Sequence, residues 1–175
     1  MSIESSKLAS QASADGRTAR VITVSTRVAE GTYEDTAGPA AAAELARVGF
    51  VVDQVQVVPD GESVKTTLKQ AVVQGIDVVI TCGGTGLTPQ DQTPEFTAQV
   101  VDREVPGIAD FLRVKVWDSV PNAALSRGIA GIAENTLIIN VPGSKKAAIE
   151  SVQLLASILP HAIDQIGGGD HERHN

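Results

Sequence analysis

Asp77-Val78-Val79-Ile80-Thr81-Cys82-Gly83-Gly84-Thr85-Gly86-Leu87-Thr88-Pro89-Gln90-Asp91-Gln92-Thr93-Pro94-Glu95 is the stretch that decides how this chain is read. The apolar run from Asp77 to Cys82 is short and β-branched, as expected of a buried strand. Three glycines follow within four residues. A carboxylate, Asp91, comes next, and Thr93-Pro94-Glu95 reads as a helix start. A strand that opens through glycines into a helix lets backbone amides approach an anion closely. Asp91 then stands where it could hold a cation beside that anion.

Working outward, strands and helices alternate. Arg20 to Ser25 is predicted as a first strand. Thr36 to Val48 is predicted as a helix, with Pro39 in its first turn, Ala41, Leu45 and Val48 as its apolar stripe, and Gly49 ending it. Phe50 to Val58 is a second strand. Asp53, Gln54 and Gln56 interrupt its valines, which places it near a sheet edge. Ser63 to Gln74 is a helix, with Val64, Leu68, Ala71 and Val72 on one face. Asp77 to Cys82 is the central strand. Pro94 to Asp102 and Ile108 to Trp117 are helices separated by Val105-Pro106-Gly107. Thr136 to Val141 is a fourth strand, and Lys145 to Leu159 one long helix. Such alternation predicts an α/β fold with a parallel sheet and right-handed crossovers.

The 175 residues suit one domain. The expected division is a leader over residues 1–17, a single domain over 18–166 and a frayed tail over 167–175. The chain is 42% apolar but 3% aromatic, so its core is built from Val, Ile, Leu and Ala. A formal net charge of −7 argues against a general nucleic-acid binder. It does not argue against an anionic small molecule, because local amides and a divalent cation outweigh the mean field. Cys82 is the single cysteine, which excludes an intrachain disulfide and fits a reducing compartment. Neither a signal peptide nor a run of membrane-spanning length is read, so no membrane partner is expected and a soluble cytoplasmic protein is.

Ligands in open α/β sheets bind at the carboxyl ends of the strands. Four such exits are expected: Ser25-Thr26-Arg27 leading to Asp35; Pro59-Asp60-Gly61; Gly83 to Gly86 with Asp91; and Pro142-Gly143-Ser144-Lys145. Parallel strands would bring all four to one edge around a single cleft. Gly83 to Gly86 lacks the Gly-Lys-Ser/Thr of a nucleoside-triphosphate loop, and Pro89 stands where a dinucleotide fingerprint needs a third glycine. It reads either as a nest of amides for phosphate or as a tight turn needing positive φ. Asp60 and Asp91 are candidate metal carboxylates, with a turn and a helix cap as the alternatives. Asp35 reads as a helix cap, and Glu95 as support for a helix dipole.

Arg127, beside Ser126, could hold a phosphate or carboxylate, or form a surface ion pair. The amides of Ser144 and Lys145 could bind an anion or belong to an ordinary cap. Asp102-Arg103-Glu104 is read as a charged elbow, Cys82 as packing, and Trp117 as a packing or subunit-contact residue. His171 and His174 are read as part of a solvated tail.

Taken together, Thr81 to Glu95, Asp60, Asp102 to Gly107, Leu125-Ser126-Arg127 and Asn140-Val141-Pro142-Gly143-Ser144 resemble the MogA/MoaB family of molybdenum-cofactor biosynthesis, a domain also found in gephyrin-type proteins. The resemblance runs in matching order from about Val21 to Leu159. It implies a three-layer α/β/α sandwich with a mostly parallel central sheet. It also implies molybdopterin adenylyltransferase activity with Mg²⁺ and ATP, in a homotrimer. By position, Asp60 and Asp91 match the family's essential acidic pair, expected to place Mg²⁺. Gly83, Gly84, Thr85 and Gly86 match the nucleotide-phosphate loop. Ser126, Arg127, Gly143 and Ser144 match residues of the cleft, with Arg127 or Lys145 expected to steady the second anion. Ser25-Thr26-Arg27 departs from the Ser-Asp-Arg or Ser-Asn-Arg of many members. A nucleotide-pyrophosphate hydrolase on the same domain and a non-catalytic pterin-binding module are the alternatives.

Overall fold

A computed structural model describes residues 16–169. Most of the expected leader and tail, including His171 and His174, lies outside the described residues. At the ends that are described, Arg17 pairs with Asp164, and the amide of Gly169 donates to the Asp164 carbonyl.

Six strands form one sheet: β1 (Thr18–Val24), β2 (Val51–Val58), β3 (Val78–Cys82), β4 (Arg103–Glu104), β5 (Ala130–Ala133) and β6 (Thr136–Val141). Their order is β2-β1-β3-β6-β5-β4. β2, β1, β3 and β6 run parallel, whereas β5 is antiparallel to both β6 and β4. The sheet is therefore mixed, with its parallel part continuous. β3 and β6 are buried along their whole length, as a strand covered by helices on both faces must be. β2 is the edge its polar interruptions predicted. Its Asp53 pairs with Arg20, which is only 3% exposed in β1, so the buried guanidinium is matched by a carboxylate at the sheet border.

Helices cover both faces. Ala37, Ala41 and Leu45 of α2 (Ala37–Arg47) share one core with Ile108 of α5 (Pro106–Lys115) and with Ala148, Val152 and Leu155 of α6 (Lys145–Leu155). Val64, Leu68 and Ala71 of α3 (Glu62–Val73) pack on the other face, beside Phe96 of α4 (Thr93–Ala98). The period-two alternation of strand side chains divides the two cores: Val78, Ile80 and Cys82 face the first and Val79 the second. The remaining helices are the single turn α1 (Thr26–Ala29), a 3-10 turn at Pro121–Leu125 and α7 (Leu159–Ile166).

Three expectations are corrected. The helix foreseen over Pro94 to Asp102 ends at Ala98, because the Asp102 amide turns away to the Ile132 carbonyl of β5. The charged elbow at Arg103-Glu104 is thus the sheet's outermost strand. The long helix over Lys145 to Leu159 is two helices. Pro160, in the first turn of α7, lacks an amide hydrogen and would clash with the preceding turn of a continuous helix. Trp117 is 53% exposed, so of its two readings burial in the core does not apply. Cys82 is a core residue; burial, aided by the charge of Asp35, pushes its thiol pKa up to about 12, so it stays a neutral apolar group.

Candidate active site

The parallel strands β2, β1, β3 and β6 deliver their carboxyl ends to one sheet edge. The first and second exits are fastened together. Ser25 donates its amide to the Val58 carbonyl at 2.9 Å. The Thr26 amide and hydroxyl donate to Asp60 Oδ2 at 3.1 and 2.8 Å, and the Thr26 hydroxyl accepts from the Asp60 amide at 3.1 Å. Gly61, at φ 117°, makes the turn into α3, a conformation that β-carbons disfavour.

The glycine loop sits against these exits because it has no side chains in the way. A Cβ on Gly83 (φ 109°) would strike the Val24 carbonyl oxygen. One on Gly143 would come within 3.0 Å of Gly83 Cα, so the third and fourth exits meet glycine to glycine. A Cβ on Gly84 would collide with the Thr93 hydroxyl and lie 3.2 Å from Asp60 Oδ1. Asp60 therefore stands beside Gly84. Asp91 stands beside Gly86, where a Cβ would be 2.9 Å from its Oδ2. Both acids flank one loop, beside glycines two positions apart.

The carbonyls of this loop all face the protein. Gly83 O accepts from the Thr93 hydroxyl at 2.9 Å, Gly84 O from the Thr93 amide at 3.1 Å and Thr85 O from the Arg127 amide at 2.8 Å. Gly86 O accepts from Arg127 Nε at 2.8 Å, and Asp91 O from the same guanidinium. Among the described residues, the amides of Gly84, Thr85 and Gly86 donate to nothing. Satisfied carbonyls on one side and uncommitted amides on the other are the makings of an anion nest. Asp91 Oδ2 accepts from the amide and hydroxyl of Thr88 at 3.1 and 2.7 Å. Among the described residues, Oδ1 of Asp60 and Oδ1 of Asp91 accept no hydrogen bond, so each carboxylate keeps one oxygen for another partner.

Arg127 departs from the expectation that it steadies a second anion. Its guanidinium pairs with Glu95 of α4 and holds the Gly86 and Asp91 carbonyls, so its donors are committed to the chain itself. The ion-pair alternative describes it better: it latches the glycine loop. Its hydrogen bond keeps the Glu95 carboxyl below the ordinary glutamate range. Asp35 is also apart from the loop. It accepts from the Thr23 hydroxyl at 2.7 Å and the Gly38 amide at 2.9 Å, which makes it a helix cap.

Beside the loop lies a cleft of about 560 Å³. Thr85 and Gly86 form one rim and Ser144 another, and Leu112, Val116 and Val120 supply an apolar wall. Ser126 lines it as well, its hydroxyl accepting from the Gly128 amide at 3.3 Å. Ser144 caps α6 through its hydroxyl, which accepts from the Ala147 amide at 3.2 Å. Gly143 lies outside the cleft lining, as does Gly83, which it meets at the strand exits. Asp60 and Asp91 lie outside the cleft lining, so the acids stand beside the glycine loop rather than ringing the cleft.

Two contributors were not foreseen. The α5 wall carries no chemical group that would have marked it. Asn140 spans β3 and α4 by donating to the hydroxyls of Thr81 and Thr97 at 2.9 and 3.0 Å, and accepts from the Ile129 amide at 3.2 Å. Its place within a buried apolar strand was the available signal, since a buried amide needs such partners.

The family described as "Probable molybdopterin binding domain" matches residues 20–161. A molybdopterin adenylyltransferase of Helicobacter pylori is 34% identical over 152 residues, 85% of this chain and 86% of that protein. The molybdenum cofactor synthesis protein cinnamon of Drosophila melanogaster is 38% identical over 154 residues, 84% of this chain; the chain spans only 25% of that longer relative. The solved structure of the molybdopterin biosynthesis Mog protein from Mycobacterium ulcerans superposes with a TM-score of 0.81 at 44% identity, covering 86% of this chain and 99% of that one. With most of its length matched, and with its glycine loop and paired acids at the strand exits, the chain belongs to the molybdenum-cofactor biosynthesis family of that domain.

Proposed function

We propose that the chain is a molybdopterin adenylyltransferase. A terminal phosphate oxygen of molybdopterin forms a bond to the α-phosphorus of ATP, and the bond from that phosphorus to the pyrophosphate oxygen breaks. Adenylylated molybdopterin and pyrophosphate are the products. One observation carries the reading: the uncommitted amides of Gly84, Thr85 and Gly86 lie between two carboxylates that each keep a free oxygen.

The donor set fits Mg²⁺. Among the described residues there is no group of three or more metal-ligating side chains that could hold an ion by themselves. Two carboxylates suit a cation that keeps water and substrate phosphate as its other ligands. Asp60 Oδ1 and Asp91 Oδ1 are the oxygens that would hold it. Bound there, Mg²⁺ would neutralise charge on the nucleotide phosphates. The loop amides bind the same phosphates from a fixed frame, since Arg127 and Thr93 hold their carbonyls. The apolar cleft beside the loop takes the pterin, with Ser126 and Ser144 in its lining. No side-chain base is needed, because a phosphate monoester is mostly ionised near neutral pH, with a second pKa of about 6. Placement in line with the α-phosphorus supplies most of the catalysis.

A homotrimer is part of the proposal. Trp117, Val114 and Leu125 are large apolar side chains left more than half exposed near the cleft, and a subunit contact would cover them. Sedimentation of the purified protein measures the subunit number.

The decisive experiment incubates the protein with molybdopterin, ATP and Mg²⁺. AMP-linked pterin with pyrophosphate is the expected result. Nucleotide hydrolysis that ignores the pterin would instead identify a hydrolase, and pterin binding without turnover a carrier module.

A further inference from the structure

We propose that Thr26 is the positioning residue for Asp60. The inference rests on the reading of Asp60 as a carboxylate that holds the nucleotide's cation, and it concerns how this chain aims that carboxylate.

Asp60 sits at the mouth of β2, half-exposed, on a turn that ends in a glycine with positive φ. A carboxylate in such a place is free to rotate about its side-chain bonds unless something holds it. Thr26, from the neighbouring exit of β1, does so with three hydrogen bonds. Its amide and its hydroxyl both donate to Asp60 Oδ2, at 3.1 and 2.8 Å. The same hydroxyl oxygen accepts from the Asp60 amide at 3.1 Å. A hydroxyl has one donor and two acceptor positions, so it can serve the side chain and the backbone of Asp60 at once. The Ser25 amide bonded to the Val58 carbonyl closes the same junction one residue earlier on each strand.

The consequence is a division of labour within one carboxylate. Oδ2 is committed to the β1 exit. Oδ1 faces the glycine loop, where a Cβ on Gly84 would lie 3.2 Å from it. Rotating the carboxylate would break two hydrogen bonds together. Thr26 thereby presents Oδ1 to the loop in one orientation before any ligand arrives, and it does so without a charge of its own. An aspartate in its place would set a second anion against Asp60. Preorganisation of this kind raises affinity by removing an ordering cost from the binding step.

The test uses the full-length protein with ATP, and Mn²⁺ as the cation, its binding followed by electron paramagnetic resonance. Thr26→Val keeps the shape and the amide but removes the hydroxyl; Thr26→Ser restores the hydroxyl; Asp60→Asn serves as reference. Thr26→Val is expected to weaken Mn²⁺ binding by about tenfold, as for a lost hydrogen bond to a charged group. Thr26→Ser is expected to recover most of that loss. In the transfer assay the Mg²⁺ requirement should rise in step while KM for the pterin stays put, a split that general loosening of the fold would not produce. If Thr26→Val unfolds, Thr26→Ala compared with Thr26→Ser isolates the same hydroxyl. Wild-type Mn²⁺ affinity in Thr26→Val, with weak binding in Asp60→Asn, would overturn the positioning role alone. Wild-type affinity in Asp60→Asn would overturn the metal role of Asp60, and the proposal with it.

Discussion

The two halves of the sheet do different work. The parallel half, β2-β1-β3-β6, ends in loops that carry the glycines, Asp60, Asp91 and Ser144. The antiparallel border, β5 and β4, carries no acid of the site, yet the chain around it supplies α5, the 3-10 turn and Arg127. The first half presents charge and amides from backbone turns. The second builds a wall and a latch from side chains. Parallel strands all point their exits one way, so groups far apart in sequence collect at one edge. Antiparallel strands alternate direction, so what they add must come from connecting segments.

The division can be broken from either side. Asp91→Ala removes a carboxylate of the charge-handling half. Transfer is expected to fall on the order of a thousandfold, with a smaller drop in the thermal midpoint, because the partly buried side chain gives up only its two hydrogen bonds from Thr88. Full turnover in a steady-state assay of that variant would defeat the assignment of Asp91. Gly83→Ala tests the close approach of the exits. A Cβ would meet the Val24 carbonyl at a φ that side chains avoid. About 2–5 kcal/mol of stability should be lost in urea titration, from overpacking and backbone strain together.

Leu112→Ala addresses the other half. Truncating an apolar wall residue should raise KM for molybdopterin by about tenfold with little change in kcat, the size expected for a lost apolar contact. An unaltered KM would mean that the pterin does not use this cleft. The smallest effect belongs to the latch. The Glu95 carboxyl is held below its ordinary range by Arg127, so its pairing stabilises the fold above about pH 4.3 and is lost as pH falls through the lower folded value. Half of Glu95 is in solvent, so Glu95→Gln should cost within about 1 kcal/mol. Melting curves recorded from neutral to acid should show the variant and the parent converge at low pH.

The same division explains what could be read in advance. β1, β3 and β6 are mostly apolar, β-branched runs, long enough to declare themselves. The helices over Ala37–Arg47 and Glu62–Val73 carry clean stripes and end near glycines. β4 has two exposed charged residues, and β5 is Ala130-Gly131-Ile132-Ala133. Neither has a pattern of its own, because pairing to a neighbour rather than propensity makes them strands. The pairing of Arg127 with Glu95 was hidden for a related reason. An arginine beside a serine states its charge but not its partner, and Glu95 lies 32 positions away.

Sequence by itself determined the alternation of strand and helix, the glycine turn after the central strand and the stock of acids at the exits. These are local properties, written in periodicity and in the few residues that tolerate a given backbone angle. Only the tertiary structure decided that Asp60 lies beside Gly84 and is held by Thr26, that neither acid lines the apolar cleft, and that Arg127 is spent on Glu95 and the loop carbonyls. Those depend on which strands become neighbours, and that choice is made by burial and pairing over the whole sheet rather than by any segment alone.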